Sequence, residues 1–186
     1  MKKMISLEID GKEVKVEEGK TILEAAKEAG IEIPTLCYHE GLKPYGACRI
    51  CSVEIERKGR TRIVAACCYP VEEGLKVKTN SEKVKKIRRT IIEMLLPISP
   101  TGPIMSLAKE YGVEKSRFSG ERTYCILCGL CIRYCAEIKK ENAITFVGRG
   151  ADRKVTVVPE KADVCAMCRE CYELCPSGKI ANIIGY

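Results

Sequence analysis

Two runs of four cysteines carry the clearest chemistry in the sequence. The first run is Cys125, Cys128, Cys131 and Cys135, and the second is Cys165, Cys168, Cys171 and Cys175. Both have the spacing C-x₂-C-x₂-C-x₃-C. Two-residue gaps let one tight loop supply three thiolates to a cluster, and the fourth thiolate must then come from elsewhere. The spacing therefore predicts two [4Fe–4S] clusters and one-electron chemistry.

The repetition of the run indicates where each fourth ligand comes from. In bacterial two-cluster ferredoxins, the fourth cysteine of each run ligates the other cluster. On this pattern, one cluster is held by Cys125, Cys128, Cys131 and Cys175. The other is held by Cys135, Cys165, Cys168 and Cys171. Pro176 follows one fourth cysteine and Ala136 the other, a difference that we do not expect to cost a cluster.

Zinc and disulfide bonds are the alternative uses of these cysteines. Structural zinc sites use two separated C-x₂₋₄-C pairs, often with histidine, and these runs do not match that pattern. The N-terminal residues alternate apolar and charged side chains, without the apolar region or the cleavage site of a signal peptide. We therefore expect a cytoplasmic chain, in which thiols stay reduced and dense cysteine indicates metal binding. No apolar stretch is long enough to predict a membrane span.

The basic charge balance has two interpretations. The formal net charge is +7, which by itself suggests nucleic acid. However, each iron–sulfur cluster with its thiolates contributes about −2, so three clusters would leave roughly +1. We therefore expect the basic residues to compensate buried anions, and we expect no nucleic-acid partner.

A second set of cysteines lies nearer the N-terminus. Cys37, Cys48 and Cys51 are followed by the adjacent pair Cys67 and Cys68, giving C-x₁₀-C-x₂-C-x₁₅-C when counted to Cys67. Plant-type ferredoxins hold a [2Fe–2S] cluster with a shorter first interval, C-x₄-C-x₂-C. Gly46 would suit a loop whose backbone passes close to a cluster. From the spacing alone, either Cys67 or Cys68 could be the fourth ligand.

Residues 1–79 have the pattern of a small α/β unit. Alternating apolar residues predict two strands joined by a turn at Asp10-Gly11. A capped helix is predicted to begin at Thr21, and two short strands follow near Ser52–Glu56 and Arg62–Ala66. This order predicts a β-grasp, or ubiquitin-like, domain.

Residues 80–116 are predicted to form a helical connector. Apolar residues recur at helical spacing from Val84 to Leu96, and a second short helix is expected from Pro103 to Tyr111. We expect the apolar stripe to pack on neighbouring domains, with partner docking as the alternative. The charged run Lys83–Arg89 is expected to be a solvated helix face, and docking to an acidic partner is again the alternative.

Residues 117–186 hold both cysteine runs and complete an α+β chain. Strands are predicted at Ala143–Val147 and Lys154–Val158, forming a hairpin inserted between the runs. Gly148-Arg149-Gly150 lacks the context of a nucleotide-binding loop and is predicted to be a turn. We expect any flavin or NAD(P) to bind another chain.

Three short motifs carry a resemblance to a known family. They are C-x-H-x-x-L at Cys37–Leu42, G-x-C-x-x-C-x-V at Gly46–Val53 and A-C-x-x-P-V at Ala66–Val71. With them, residues 1–79 resemble the [2Fe–2S] β-grasp domain of the large iron–sulfur subunit of respiratory complex I. The same domain opens iron-only hydrogenases and the diaphorase iron–sulfur subunit of NAD-linked hydrogenases. The resemblance implies that a [2Fe–2S] cluster is held by Cys37, Cys48, Cys51 and Cys67.

The departures from this family also carry information. Residues 80–124 contain no cysteine or histidine, so we expect the His-plus-three-Cys cluster of some members to be absent. The segment Leu107–Val113, with Arg117 and Phe118, is most similar to the small diaphorase-type subunit. The sequence ends at Tyr186 without the large catalytic domain of the hydrogenases. We therefore expect a relay subunit that is not an enzyme by itself.

The resemblance implies partners at both ends of the relay. One is a flavin- and NAD(P)-binding flavoprotein subunit, and the other is a further redox subunit, a catalytic subunit or a ferredoxin. Such a hetero-oligomer would be a hydrogenase, a formate dehydrogenase or an electron-bifurcating transhydrogenase. The alternatives are a free-standing polyferredoxin and, more remotely, a cluster-based sensor or binding module.

His39 is the only histidine, which excludes a Rieske centre because that centre needs two. We expect His39 to be a structural or surface residue beside the first cluster loop. A hydrogen bond that tunes the cluster is the alternative.

Overall fold

A computed structural model describes residues 3–180. Within this range the chain divides into two compact units. The first comprises residues 3–35 and 44–91, and the second comprises residues 36–43 and 92–180. The short segment 36–43, which contains Cys37, thus belongs to the second unit by its contacts.

The first unit is built on a five-stranded mixed sheet. Its strands are β1 (Met4–Ile9), β2 (Lys12–Glu17), β3 (Ser52–Arg57), β4 (Arg60–Ala65) and β5 (Lys76–Lys78). The strand order is β2-β1-β5-β3-β4, with β1 and β5 parallel and the other pairs antiparallel. Together with one helix between β2 and β3, this is the predicted β-grasp.

The β1–β2 hairpin follows from its sequence. Asp10 and Gly11 have φ angles of 49° and 82°, the left-handed conformation that a tight hairpin turn between twisted strands requires. This turn fixes a register in which Leu7 pairs with Val14, and both are buried. A one-residue slip would turn these apolar side chains outward, so burial and turn chemistry agree on the register.

Helix α1 (Ile22–Glu28) begins with the predicted capping box. The Thr21 hydroxyl accepts a hydrogen bond from the Glu24 N–H at 3.3 Å, and the Glu24 carboxylate accepts one from the Thr21 N–H at 2.7 Å. Gly30, with φ 69°, follows the helix end. The apolar face of α1 is fully inside the unit and consists of Ile22, Leu23, Ala25 and Ala26.

Two helices follow the sheet, as predicted for residues 80–116. They are α2 (Glu82–Leu95) and α3 (Gly102–Glu110). The Ser81 hydroxyl accepts from the Val84 N–H at 3.3 Å and caps α2. The division between the two units falls within α2, between residues 91 and 92.

The remainder of the second unit contains the cysteine runs. Its elements are α4 (Leu130–Glu137), β6 (Ile144–Val147), β7 (Lys154–Val157) and α5 (Ala162–Cys168). Strands β6 and β7 form the antiparallel hairpin predicted between the runs. Cysteines contribute to the core here, where they are buried together with Ala143, Ile144, Val155 and Ile180. None of the helices within residues 3–180 combines the length and apolar character that a membrane crossing requires.

Candidate iron–sulfur sites

All thirteen cysteines are free thiols. Nine are buried, and Cys125, Cys168 and Cys175 are partly buried. All lie in the described part of the chain, and Cys68 is the one exposed member. Since cysteine thiolates are the usual ligands of iron–sulfur clusters, their grouping decides what the chain can bind.

One cavity in the second unit is lined by four cysteines drawn from both runs. We call it the first tetracysteine site, and its members are Cys125, Cys128, Cys131 and Cys175. Burial raises the pKa of Cys128 to about 12, and the nearby Cys175 and Cys125 thiols add to the effect. Burial and the neighbouring Cys128 likewise raise the pKa of Cys131. Bound iron would offset this rise in the cysteine pKa values, because it stabilises the thiolate form.

A separate cavity forms the second tetracysteine site. Its members are Cys135, Cys165, Cys168 and Cys171. Burial raises the pKa of Cys171 to about 12, with further contributions from Cys165 and Cys135. The fourth cysteine of each run thus lies with the first three of the other run.

The local backbone explains how three cysteines of the first run converge. Leu127 and Gly129 have φ angles of 52° and 70°, so the chain winds in the left-handed region around Cys128. The Leu127 N–H hydrogen-bonds the sulfur of Cys125 and opposes the rise in its pKa that burial causes. The Leu130 N–H acts in the same way on Cys128.

In the second run, a helix brings the first two cysteines together. Cys165 and Cys168 lie one turn apart on α5, on the same face. The helix then ends at Arg169, whose φ of 51° matches the left-handed Gly129 of the first run. A tight loop for both runs was expected, and the second run departs from it because α5 extends through its first two cysteines.

The first unit contains a close pair of buried cysteine sulfurs. Cys48, Cys51 and Cys67 are buried, and the sulfurs of Cys51 and Cys67 are 3.4 Å apart. The hydrogen bond with Cys51 and burial raise the pKa of the Cys67 thiol strongly. Cys68 has its sulfur 3.5 Å from that of Cys67 but is exposed.

Gly46 has a specific neighbour in this loop. Its φ is 69°, and a Cβ atom added there would lie 2.8 Å from the Cys68 sulfur. Both the backbone conformation and the space therefore require glycine. A close approach of this loop to a cluster stays a prediction from the sequence, and the nearest protein neighbour of Gly46 is the Cys68 sulfur.

Cys37 is positioned by α4, within the second unit. The Arg133 guanidinium donates hydrogen bonds to the carbonyl oxygens of Cys37 and Lys43, each at 2.7 Å. The Glu137 carboxylate, one turn further along α4, accepts a hydrogen bond from the Lys43 N–H at 2.8 Å. Cys37 also contributes to the raised pKa of Cys128, after burial and closer thiols. Sequence reasoning missed Arg133 and Glu137, which no motif singled out.

His39 acts locally in the same segment. Its Nδ1 atom accepts a hydrogen bond from the Gly41 N–H at 3.1 Å, and its ring meets the Tyr134 ring edge-on at 6.4 Å between centroids. These contacts favour the structural interpretation of His39.

Arg88 corrects the expectation of a solvated face along Lys83–Arg89. Lys83 is exposed, but Arg88 is only 2% exposed and donates to the Ser52 carbonyl at 2.9 Å. Ser52 directly follows Cys51, so this buried cation supports a cysteine-bearing loop. The burial of Arg88 could have been predicted from the helical spacing, because Arg88 lies midway between the buried Val84 and Ile92 on one stripe.

The donor chemistry fits iron–sulfur clusters. Each cavity of the second unit presents four cysteines. Backbone N–H groups donate to Cys125 and Cys128 in the first cavity, and the Ala143 N–H donates to the Cys135 sulfur at 3.1 Å in the second. Within residues 3–180, no group of three or more His, Cys, Asp or Glu side chains is arranged around a single metal ion.

Comparison with known families assigns both halves of the chain to iron–sulfur proteins. Residues 2–82 match the family described as a 2Fe-2S iron–sulfur cluster binding domain. Residues 124–179 match the family described as a 4Fe-4S dicluster domain. Fold and site together thus define an electron-transfer protein with an N-terminal [2Fe–2S] domain and a C-terminal dicluster domain.

Relatives narrow this class further. The chain is 37% identical to the NADPH-Fe(3+) oxidoreductase subunit alpha of Geobacter sulfurreducens, an alignment that covers 96% of this chain and 24% of the relative. It is 33% identical to the NADH-ubiquinone oxidoreductase 75 kDa subunit of Reclinomonas americana, covering 96% and 29% respectively. The chain therefore spans about a quarter of the length of these relatives.

A solved structure matches over most of its own chain. It is an NAD+-reducing [NiFe]-hydrogenase in the H2-reduced state, with a TM-score of 0.72 and 31% identity. The match covers 83% of this chain and 75% of that one. The protein thus belongs to the family of iron–sulfur proteins that combine an N-terminal [2Fe–2S] domain with a 4Fe-4S dicluster domain.

Proposed function

We propose that this chain relays single electrons through one [2Fe–2S] and two [4Fe–4S] clusters. The first tetracysteine site holds one [4Fe–4S] cluster and the second holds the other. The [2Fe–2S] cluster is held by Cys37, Cys48, Cys51 and Cys67. When bound, each cluster supplies a one-electron redox couple, and the protein supplies its position and its environment.

The crossed grouping of the cysteines is the observation that carries this proposal. Two cavities are each lined by four cysteines, and each takes its fourth member from the other run. This crossed grouping is the arrangement of a two-cluster ferredoxin. The chain's own contribution is to bury the sulfurs and to direct N–H groups at them.

The N-terminal assignment rests on different support. The family match over residues 2–82 includes all four proposed ligands. Cys67 is buried against Cys51, whereas Cys68 is exposed, which favours Cys67 as the fourth ligand. We propose domain boundaries at 1–79 for the [2Fe–2S] domain, 80–116 for the connector and 117–186 for the dicluster domain.

We further propose that the chain works as a non-catalytic member of a cytoplasmic hetero-oligomer. The names of its relatives include NADPH, NADH and NAD+. A flavin- and NAD(P)-binding flavoprotein subunit is therefore the natural electron donor or acceptor at one end. A further redox subunit or a ferredoxin occupies the other end. The free thiols are consistent with a reducing compartment.

Anaerobic purification at endogenous expression level tests the subunit assignment. We expect the protein to elute well above its own 20.7 kDa, to carry bound flavin, and to be reduced by NADH or NADPH. A lone 20.7 kDa species that carries all three clusters would contradict the subunit role and leave a free-standing polyferredoxin.

A further inference from the structure

The two tetracysteine sites differ in the residues that follow their fourth cysteines. Cys175 is followed by Pro-Ser-Gly-Lys and Cys135 by Ala-Glu-Ile-Lys. The internal duplication thus provides its own comparison, in which Ser177 corresponds to Glu137 and Lys179 to Lys139.

Ser177 contacts a ligand sulfur of the first site. Its Oγ lies 3.4 Å from the Cys175 sulfur and 3.4 Å from the Lys179 backbone N–H, which donates to it. A cluster-bound thiolate has no proton to give, so the Ser177 hydroxyl must be the donor to sulfur. Glu137 makes no corresponding contact, since its carboxylate accepts from the Lys43 N–H at 2.8 Å, and the Cys135 sulfur accepts instead from the Ala143 backbone N–H at 3.1 Å.

Lys179 gives the first site a positive charge. It is the one charged side chain among the described residues that line this cavity, and it is half-buried. Its charge also favours the thiolate form of Cys125. Because adding an electron makes a cluster more negative, a nearby cation makes reduction easier.

Among the described residues, four of the five charged side chains in and around the second site form ion pairs, and the fifth is Arg169. The Lys139 ammonium lies 2.6 Å from the Glu170 carboxylate, and Glu170 also accepts a hydrogen bond from the Tyr134 hydroxyl at 2.9 Å. Glu141, which lines the cavity, lies 3.7 Å from Lys161. Arg169 also lines it but is exposed, so solvent screens its charge.

The helices act in the same direction as the side chains. Leu130, the first residue of α4, hydrogen-bonds Cys128 of the first site through its N–H, so this site receives the positive helix end. Cys135 and Cys168 of the second site lie in the last turns of α4 and α5, near negative helix ends.

We propose that Ser177 and Lys179 tune the cluster of the first tetracysteine site and make it the more easily reduced of the two [4Fe–4S] clusters. This inference rests on the proposed function, because it requires a [4Fe–4S] cluster at each site. Both residues act as positioning residues through hydrogen bonding and charge. At equilibrium, a single electron in the dicluster domain therefore resides mainly at the first site.

An EPR-monitored redox titration of the full chain tests the proposal. The signal of the first site is identified as the one that Cys125→Ser alters. Ser177→Ala combined with Lys179→Gln should lower the reduction equilibrium constant of that cluster about tenfold, equivalent to ~59 mV for one electron. Ser177→Thr with Lys179→Arg keeps the hydroxyl and the charge and should restore the original potential. Lys139→Gln, the matched lysine of the other run, should leave the first site unchanged.

The possible results distinguish a failure of this inference from a failure of the proposed function. Unchanged potentials in the double variant, equal shifts of both [4Fe–4S] clusters, or reduction of the second site first would each overturn the inference. Absence of any [4Fe–4S] signal in the wild-type protein would instead overturn the proposed function, and the inference with it. Iron content measured on each variant separates a shift in potential from a lost cluster.

Discussion

The sulfur atoms of Cys51 and Cys67 lie 3.4 Å apart and both residues are buried, while the adjacent Cys68 is exposed. This difference in burial distinguishes Cys67 from Cys68, which the spacing in the sequence could not do. Two buried sulfurs this close together can ligate the same cluster. Cys67 is therefore the better candidate for the fourth [2Fe–2S] ligand.

Replacement of Cys67 and replacement of Cys68 should have opposite effects on the [2Fe–2S] cluster. We expect Cys67→Ser to abolish or strongly change the [2Fe–2S] EPR signal, because it replaces a ligand sulfur. Cys68→Ser is the matched control and should retain the signal at full intensity. If Cys68→Ser loses the signal and Cys67→Ser keeps it, the assignment of the ligand is reversed.

The crossed grouping of the two runs predicts which variants behave alike. Cys125→Ser and Cys175→Ser should alter the same [4Fe–4S] signal, although the two residues belong to different runs. Cys165→Ser and Cys135→Ser should alter the other signal, and the [2Fe–2S] signal should persist in all four. Low-temperature EPR of the reduced proteins makes the comparison. If Cys125→Ser instead pairs with Cys135→Ser, each run holds its own cluster.

The raised cysteine pKa values predict an alkaline instability of the cluster-free protein. In the folded chain, the pKa values of Cys128 and Cys171 are raised from 9.0 to about 12, mainly by burial. Their stabilising contribution is complete below pH 9 and is lost as the pH rises toward 12, since only the unfolded state then releases these protons readily. Urea unfolding of cluster-free protein at pH 8 and pH 10 measures the loss.

Two controls isolate the cysteine contribution to this pH dependence. Cluster-free Cys128→Ala should lose less stability between pH 8 and pH 10 than the cluster-free wild type. Holoprotein should also lose less, because iron keeps the sulfurs deprotonated at both pH values. An equal loss in all three proteins would assign the effect to other groups.

The hydrogen bonds from Arg133 predict a local effect on the segment that contains Cys37. Arg133→Gln removes two charge-assisted hydrogen bonds to the carbonyls of Cys37 and Lys43. Their loss should cost about 2 kcal/mol of local stability, or roughly thirtyfold faster amide exchange across residues 36–43. Hydrogen exchange followed by mass spectrometry resolves this segment.

Arg117 provides the matched control for Arg133. It is an exposed arginine of the same unit, and its guanidinium lies 2.5 Å from the Glu93 carboxylate. Arg117→Gln should leave exchange across residues 36–43 unchanged, because a surface ion pair contributes little. Unchanged exchange in Arg133→Gln as well would mean that other contacts hold the segment.

Much of the fold was accessible from sequence because local signals agreed with each other. The Thr21 capping box, the Asp10-Gly11 turn and the alternating strands each specify local geometry, and together they fix the β-grasp order. The spacing of the cysteine runs likewise indicated which residues would meet. These signals depend on near neighbours in the chain.

The residues that sequence reasoning missed act over long separations or against the usual burial trend. Arg133 reaches the Cys37 carbonyl across 96 positions, which no local pattern encodes. Arg88 is a charged residue in the buried stripe of a helix, where a charged run normally indicates a solvated face. Ser177 was missed because its role depends on one 3.4 Å contact with a sulfur.

The most direct test of the three-cluster relay is a metal and spin count on anaerobically purified protein. We predict about ten iron atoms per chain, negligible zinc, and three EPR-active centres after full reduction, one [2Fe–2S] and two [4Fe–4S]. Zinc in place of iron, or iron sufficient for only one or two of these centres in protein whose cysteines are intact, would contradict it.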